Sequence, residues 1–273
     1  MGIIADFPSG RKEAMRLGVR EYIVVPPGQT PSPAAASLAL PVDLPAPGAP
    51  WTKPAVQGAL WVITDRRPIP SDASSAASLC QMARQGCSGI YADFERPPGN
   101  AACRFLAALQ AGLSQLRLPL LVPAAYAPLL PGAACVLTWQ PGGGAFPAAL
   151  QAACAKYAGR SCFLDLAPVC CRVRLGKSAP PERLSPAALA EALTGPVFYN
   201  APLGCYYRLT HTGDALLCTL FDTAASFQAR RTQAARLPLT GLLLLQPELD
   251  ALSSAPDFEI SAFSAQKPSY HLA

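Results

Sequence analysis

Short apolar runs recur along the chain, and stretches with helical spacing separate many of them, which is the pattern of repeated βα units around a parallel sheet. The runs predict eight strands, over Ile3–Asp6, Glu21–Val25, Ala59–Thr64, Gly89–Glu95, Leu118–Pro123, Ala134–Trp139, Ser161–Ala167 and Gly241–Gln246. Helical patterns between them fit Arg11–Leu17, Ser74–Arg84, Ala101–Leu116, Phe146–Tyr157, Pro186–Leu193 and Ala224–Arg236. Asp72 and Ser185 stand at N-cap positions, with Pro186 at the first helical position after the second. Residues 29–54, rich in proline and alanine, predict no helix, so a barrel helix there is missing, shortened or replaced by a long loop. Short alternating runs at Val197–Asn200, Gly204–Leu209 and Leu216–Phe221 predict antiparallel strands, a small α+β insertion over 195–222 ahead of the last strand. Eight strands in 273 residues suit one α/β domain spanning 1–273, an eight-stranded (β/α)8 TIM barrel, because barrels of about 250 residues form a single domain.

Composition supports a large core: 51% of residues are hydrophobic and only 14% charged. The net charge of +5 is scattered over pairs such as Arg66 and Arg67 or Arg172 and Arg174, which predicts a mildly basic surface and not a nucleic-acid footprint. Prolines 119, 123, 128 and 131 interrupt the most apolar region, and no run approaches the roughly 20 residues that cross a bilayer, so no membrane span is expected. Met1–Asp6 shows no basic leader and apolar core, so no signal peptide is visible and an unexported, cytoplasmic protein is expected. Of the ten cysteines, Cys162, Cys170, Cys171 and Cys218 sit inside apolar runs, which favours reduced, buried thiols over a disulfide framework. With no Cys-x-x-Cys and only His211 and His271 as imidazoles, a zinc site has little to build on. Neither histidine has an evident serine or cysteine partner, which disfavours triad hydrolases.

Ser88–Glu95 is where chemistry shows. In an extended strand Ile90, Ala92 and Phe94 share one face, while Tyr91, Asp93 and Glu95 share the other. Two like charges on one face with apolar flanks repel and are poorly solvated, so one of them should hold its proton at neutral pH. That suits a general acid beside an ionised partner. Surface acids at the end of a solvated strand remain the alternative. Asp65, followed by Arg66 and Arg67, is placed by the same logic either at the rim of a cleft or among ordinary surface charges.

Gly89–Glu95 followed by Arg96-Pro97-Pro98 resembles the fourth-strand motif of glycoside hydrolase family 18, nearest its bacterial branch of spore-cortex N-acetylglucosaminidases. Phe221-Asp222, Ala225-Ser226, a helix and Leu239–Leu244 are similar to the family's C-terminal segment, so the resemblance covers about residues 59–250. It implies substrate-assisted, retaining hydrolysis of β-linked N-acetylglucosamine polymers, peptidoglycan or chitin-like, with a polysaccharide or oligosaccharide as the partner. Carried over by position, Glu95 protonates the glycosidic oxygen. Asp93 orients the substrate's N-acetyl group, whose carbonyl oxygen attacks the anomeric carbon. An internal nucleophile and a proton complete that chemistry, so no cofactor is implied. The resemblance also implies a spore-associated location as an alternative to the cytoplasm.

Several positions depart from the motif. Tyr91 stands where many members carry aspartate, and Ser88 where the motif's first aspartate falls. Leu137-Thr138-Trp139-Gln140 replaces a methionine, small residue, tyrosine and aspartate on the sixth strand, so Trp139 and Gln140, together with Tyr91, become the candidate substrate-binding residues. Tyr126, Tyr206 and Tyr207 are further aromatic candidates. Leu245 or Gln246 occupies the place of a tryptophan that floors the sugar site. Two functions therefore stay open: a hydrolase acting through Glu95 and Asp93, or a barrel that has lost efficient catalysis and serves as a carbohydrate-binding or spore-coat structural protein.

Overall fold

Ala59–Thr64 is buried at every position except its last, and a strand covered on both faces requires that composition. A computed structural model of the chain describes residues 19–26, 29–31, 37–45, 51–70, 73–141, 144–176, 180–192, 194–213 and 215–254. In it, strands β1 (Arg20–Val24), β2 (Leu38–Pro41), β3 (Ala59–Thr64), β4 (Cys87–Asp93), β5 (Leu120–Pro123), β6 (Ala134–Thr138) and β7 (Cys162–Asp165) lie side by side with a late strand, Gly241–Leu245. All pair in parallel and close into an eight-stranded barrel, the late strand joining β7 to β1. The fold is the expected (β/α)8 barrel.

One strand differs from the expectation. The predicted strand Ile3–Asp6, with the helix Arg11–Leu17 and the cap Asp72, lies outside the described residues. The barrel instead takes Leu38–Pro41 from the proline- and alanine-rich stretch where no element was predicted, and this strand pairs with both β1 and β3. Four residues ending in proline are too short to show a period. The Pro41 ring removes one backbone donor, and the ladder resumes with Val42 donating to the Val62 carbonyl at 2.7 Å.

Helix α1 (Ala73–Ala83) links β3 to β4, α2 (Asn100–Gln115) links β4 to β5, and α3 (Phe146–Lys156) links β6 to β7. Strands β5 and β6 are joined through a single 3₁₀ turn, Ala127–Leu129. Between β7 and the last barrel strand a separate antiparallel sheet is inserted: β8 (Cys170–Arg174), β9 (Glu182–Arg183), β10 (Phe198–Asn200), β11 (Cys205–Thr212) and β12 (Ala215–Phe221), in the order β10-β11-β12-β8-β9. Besides the three strands expected within 195–222, this sheet includes β8 and β9 from earlier in the chain, with β8 paired to β12. Helix α4 (Pro186–Ala192) runs between β9 and β10, and the Ser185 hydroxyl accepts from the Ala188 amide at 3.2 Å, the expected cap. Helix α5 (Ala224–Ala235) returns to the barrel, the last barrel strand is β13 (Gly241–Leu245), and α6 (Gln246–Ser254) follows it. Thr223 and Ser226 form a capping box at the start of α5.

Alternation sorts the barrel side chains into two sets. Tyr22, Leu60, Val62, Tyr91, Leu121, Val136, Phe163 and Leu243 pack together in the interior, while Ile63, Ile90, Ala92, Leu137 and Leu164 join helical residues such as Leu79, Leu106 and Phe227 in the outer layer. Packing is close where β13 enters. A Cβ on Gly241 would lie 2.7 Å from Phe163 Cε1 and 2.9 Å from the Arg20 carbonyl oxygen. Gly241→Ala is therefore expected to destabilise the barrel by about 1–3 kcal/mol through overpacking, read as a lower urea midpoint with unchanged slope.

Candidate functional site at the barrel mouth

The interior set continues to the C-terminal ends of the strands, where a barrel presents its catalytic face. Counting on by two from Val62, Tyr91, Val136 and Phe163, the inward positions of β3, β4, β6 and β7 end in Thr64, Asp93, Thr138 and Asp165. Thr64 pairs with Asp93, and Thr138 with Asp165. An apolar interior thus closes with a polar layer holding two carboxyls.

Tyr91 and Asp93 belong to one unit. The buried Tyr91 hydroxyl donates to Asp93 Oδ1 at 3.0 Å. Burial holds the phenol well above its usual pKa, with the charges of Asp93 and Asp165 adding to the rise, so it stays a donor. The Asp93 carboxyl is likewise raised, first by burial. The Tyr91 hydrogen bond and the Arg66 charge oppose that rise, while Glu95 and Asp65 reinforce it. Removing the phenolic oxygen takes away a contact that favours the carboxylate. Tyr91→Phe is expected to move Asp93 protonation to higher pH, seen directly in a carboxyl-carbon NMR titration of aspartate-labelled protein.

Glu95 lies past the strand. The sequence pattern runs the strand to Glu95, but β4 stops at Asp93, and Glu95 occupies an exposed position in the loop toward α2. The ladder ends there because the loop's amides bond elsewhere. The Glu95 N–H donates to Asp65 Oδ1 at 3.1 Å and the Arg96 N–H to Asp65 Oδ2 at 2.9 Å. Asp65, expected at a rim or among surface charges, is 2% exposed and acts as a backbone clamp. Tyr126, also buried, donates its hydroxyl to the Arg96 carbonyl at 2.9 Å and meets Phe94 edge-on at 5.9 Å. The side chain of Glu95 is in solvent, while the main chain at Glu95 and Arg96 is held by Asp65 and Tyr126.

The remaining candidates separate. Trp139 follows the end of β6 on its outward side, half-buried, with its ring 5.0 Å from Phe146 edge-on and 5.1 Å from the Arg230 guanidinium. It packs against both the barrel's outer core and the core of the inserted sheet. Gln140 is exposed beside it. Tyr206 stacks on Phe221 at 5.8 Å, and Tyr207 faces Phe198 at 5.6 Å within the inserted sheet. Leu245 ends β13 half-buried. The structure therefore brings Tyr91, Asp93 and the Glu95 loop together, and Trp139 and Gln140 sit on another side of the mouth.

Sequence reasoning missed Asp165. Its carboxyl is pushed up to about 7 by burial first and then by the charges of Asp93 and Glu248. The available signal was a lone acid ending the apolar run Cys162-Phe163-Leu164, in the same parity that Asp93 has on β4.

Among the described residues no group of three or more histidine, cysteine or acidic side chains could hold a metal, and no helix is long and apolar enough to cross a membrane. Comparison with protein-family models gives no match, and comparison with curated proteins gives none. Solved structures do match. The spore cortex-lytic enzyme SleL of Bacillus megaterium QM B1551 superposes with a TM-score of 0.51 at 12% identity, over 87% of this chain and 74% of that one. SleL of Bacillus cereus gives 0.50 at 14% identity, over 86% and 73%. At such identity the likeness is one of fold.

Proposed function

We propose that the protein is a glycoside hydrolase of β-linked N-acetylglucosamine polymers, peptidoglycan or chitin-like, using Glu95 as acid/base and Asp93 as its electrostatic partner. The observation that carries this reading is the hydrogen-bonded Tyr91–Asp93 pair at the C-terminal mouth of a closed barrel, with Glu95 two residues on in a clamped loop. Asp93 accepts the N–H of the sugar's acetamido group and turns its carbonyl oxygen toward the anomeric carbon. That oxygen bonds to the anomeric carbon as Glu95 gives a proton to the departing glycosidic oxygen; water, giving a proton to Glu95, then displaces the amide oxygen from the same carbon, and two displacements retain the anomeric configuration. Tyr91 serves the substrate through Asp93, whose orientation it holds. Gln140 is the exposed amide able to meet a sugar hydroxyl, and Trp139 shapes the β6 side of the mouth. The family resemblance and the fold shared with cortex-lytic enzymes support cortex peptidoglycan as the substrate and spores as the location.

A second reading, carbohydrate binding or a spore-coat structural role without turnover, is favoured by the packing of Trp139 against Arg230 and by Leu245 at the end of β13. Incubation with chitotetraose and with cortex-type muropeptides decides between them. Release of shorter fragments with retained anomeric configuration supports the hydrolase, whereas saturable binding with no fragments after prolonged incubation removes it.

A further inference from the structure

The chemistry just proposed leaves one carboxyl at the mouth unused. Asp165 ends β7 on its inward side, between Thr138 of β6 and Leu243 of β13. It is half-buried, and no side chain or backbone group among the described residues makes a hydrogen bond to its carboxyl. A carboxyl partly withdrawn from water without a partner is costly unless something else satisfies it. Across the mouth Asp93 already has its Tyr91 bond and keeps further acceptor capacity.

An N-acetyl group presents one donor, its N–H, and one acceptor, its carbonyl oxygen. A mouth holding one carboxylate and one carboxylic acid matches that pair. Thr138 stands on the neighbouring inward position, and no phenol from β6 competes for the amide oxygen. We infer that Asp165 is a substrate-binding residue for the N-acetyl group, donating a hydrogen bond from its carboxyl to the amide oxygen while Asp93 accepts the amide N–H. The inference rests on the hydrolase reading's choice of ligand and site.

The electrostatics agree. Asp165 is held near 7 by burial, by Asp93 of β4 and by Glu248 of α6, the last of which is itself paired with Arg183 of β9. The Tyr91 phenol shares the field of Asp93 and Asp165, and Glu95, Arg66 and Asp65 face Asp93. Below pH 7 Asp165 offers a proton, and above it the site holds two carboxylates facing an acceptor.

The test uses the full chain carrying Glu95→Gln, so that chitotetraose binds without being cut, and calorimetric titration at pH 5.5 and pH 8.5. Affinity is expected to fall roughly thirtyfold across that range, the factor by which the protonated fraction of a group titrating at about 7 declines. In Glu95→Gln/Asp165→Asn, whose amide keeps a donor at all pH values, it is expected to stay within about twofold. A flat response in the single variant, measured with Asp165 intact, or an equal fall in both variants overturns the role of Asp165 and leaves hydrolysis standing. A wild type that binds with the expected pH response but never cleaves overturns the hydrolase and keeps Asp165. Absence of chitotetraose binding by the single variant at both pH values overturns the role of Asp165, and the hydrolase falls with it when the wild type also leaves cortex-type muropeptides uncut.

Discussion

Replacing Glu95 with glutamine is expected to reduce kcat on chitotetraose or cortex muropeptides by about 10²–10⁴-fold, the usual contribution of a positioned general acid. The substitution keeps length and hydrogen-bonding capacity but removes the transferable proton. Because Asp65 and Tyr126 hold the loop through main-chain groups and not through the Glu95 side chain, the fold around it should be unchanged. KM should therefore move little while kcat collapses, the signature of a contact made only in the transition state. Initial rates of fragment release, with thermal melts of both proteins as a control, check this. A variant that cleaves at wild-type rate would remove Glu95 from the chemistry.

Arg230→Leu is expected to lower stability by about 3–5 kcal/mol, the cost of leaving one member of a buried ion pair alone. Arg230 and Asp222 are both fully enclosed and paired through Nη2 and Oδ2. Asp222 also accepts from the Val169 amide at 2.7 Å and the Ser226 hydroxyl at 2.8 Å. The guanidinium lies over Trp139, Phe146 and Phe227, at 5.1, 5.6 and 5.8 Å from their centroids, while its Nε and Nη1 find no acceptor among the described residues. This pair joins the end of β12, the start of β8 and α5 behind the mouth. At about 2–4 °C per kcal/mol the variant should melt roughly 10 °C lower. Arg230→Leu/Asp222→Asn, which removes the stranded charge, should recover a large part of the loss, and a double variant no better than the single one would refute the ion-pair explanation.

The barrel was legible because seven of its strands are apolar runs long enough to show themselves. Ala59–Thr64 and Gly241–Leu245 leave no choice but burial on both faces, and a sheet buried on both faces with helices between its strands closes or doubles. Leu38–Pro41 was hidden by four-residue length and by proline-rich surroundings, where composition describes a loop. At the site, alternation put Ile90, Ala92 and Phe94 on one face and Tyr91 on the other, and the barrel turns the first face to its outer layer and the second inward. It failed past Asp93, because the strand's end is decided by Asp65, thirty residues earlier, through bonds that no local pattern records. Asp165 escaped for the opposite reason: its local pattern is ordinary, and only barrel closure turns a strand-ending acid into the companion of another. Arg230 reads as a solvated helix residue until the inserted sheet covers it.

The clamp at Asp65 has a mechanical corollary. By seizing two successive amides from the neighbouring strand's connection, it makes that quadrant of the rim stiff, whatever freedom the carboxylate tip of Glu95 retains.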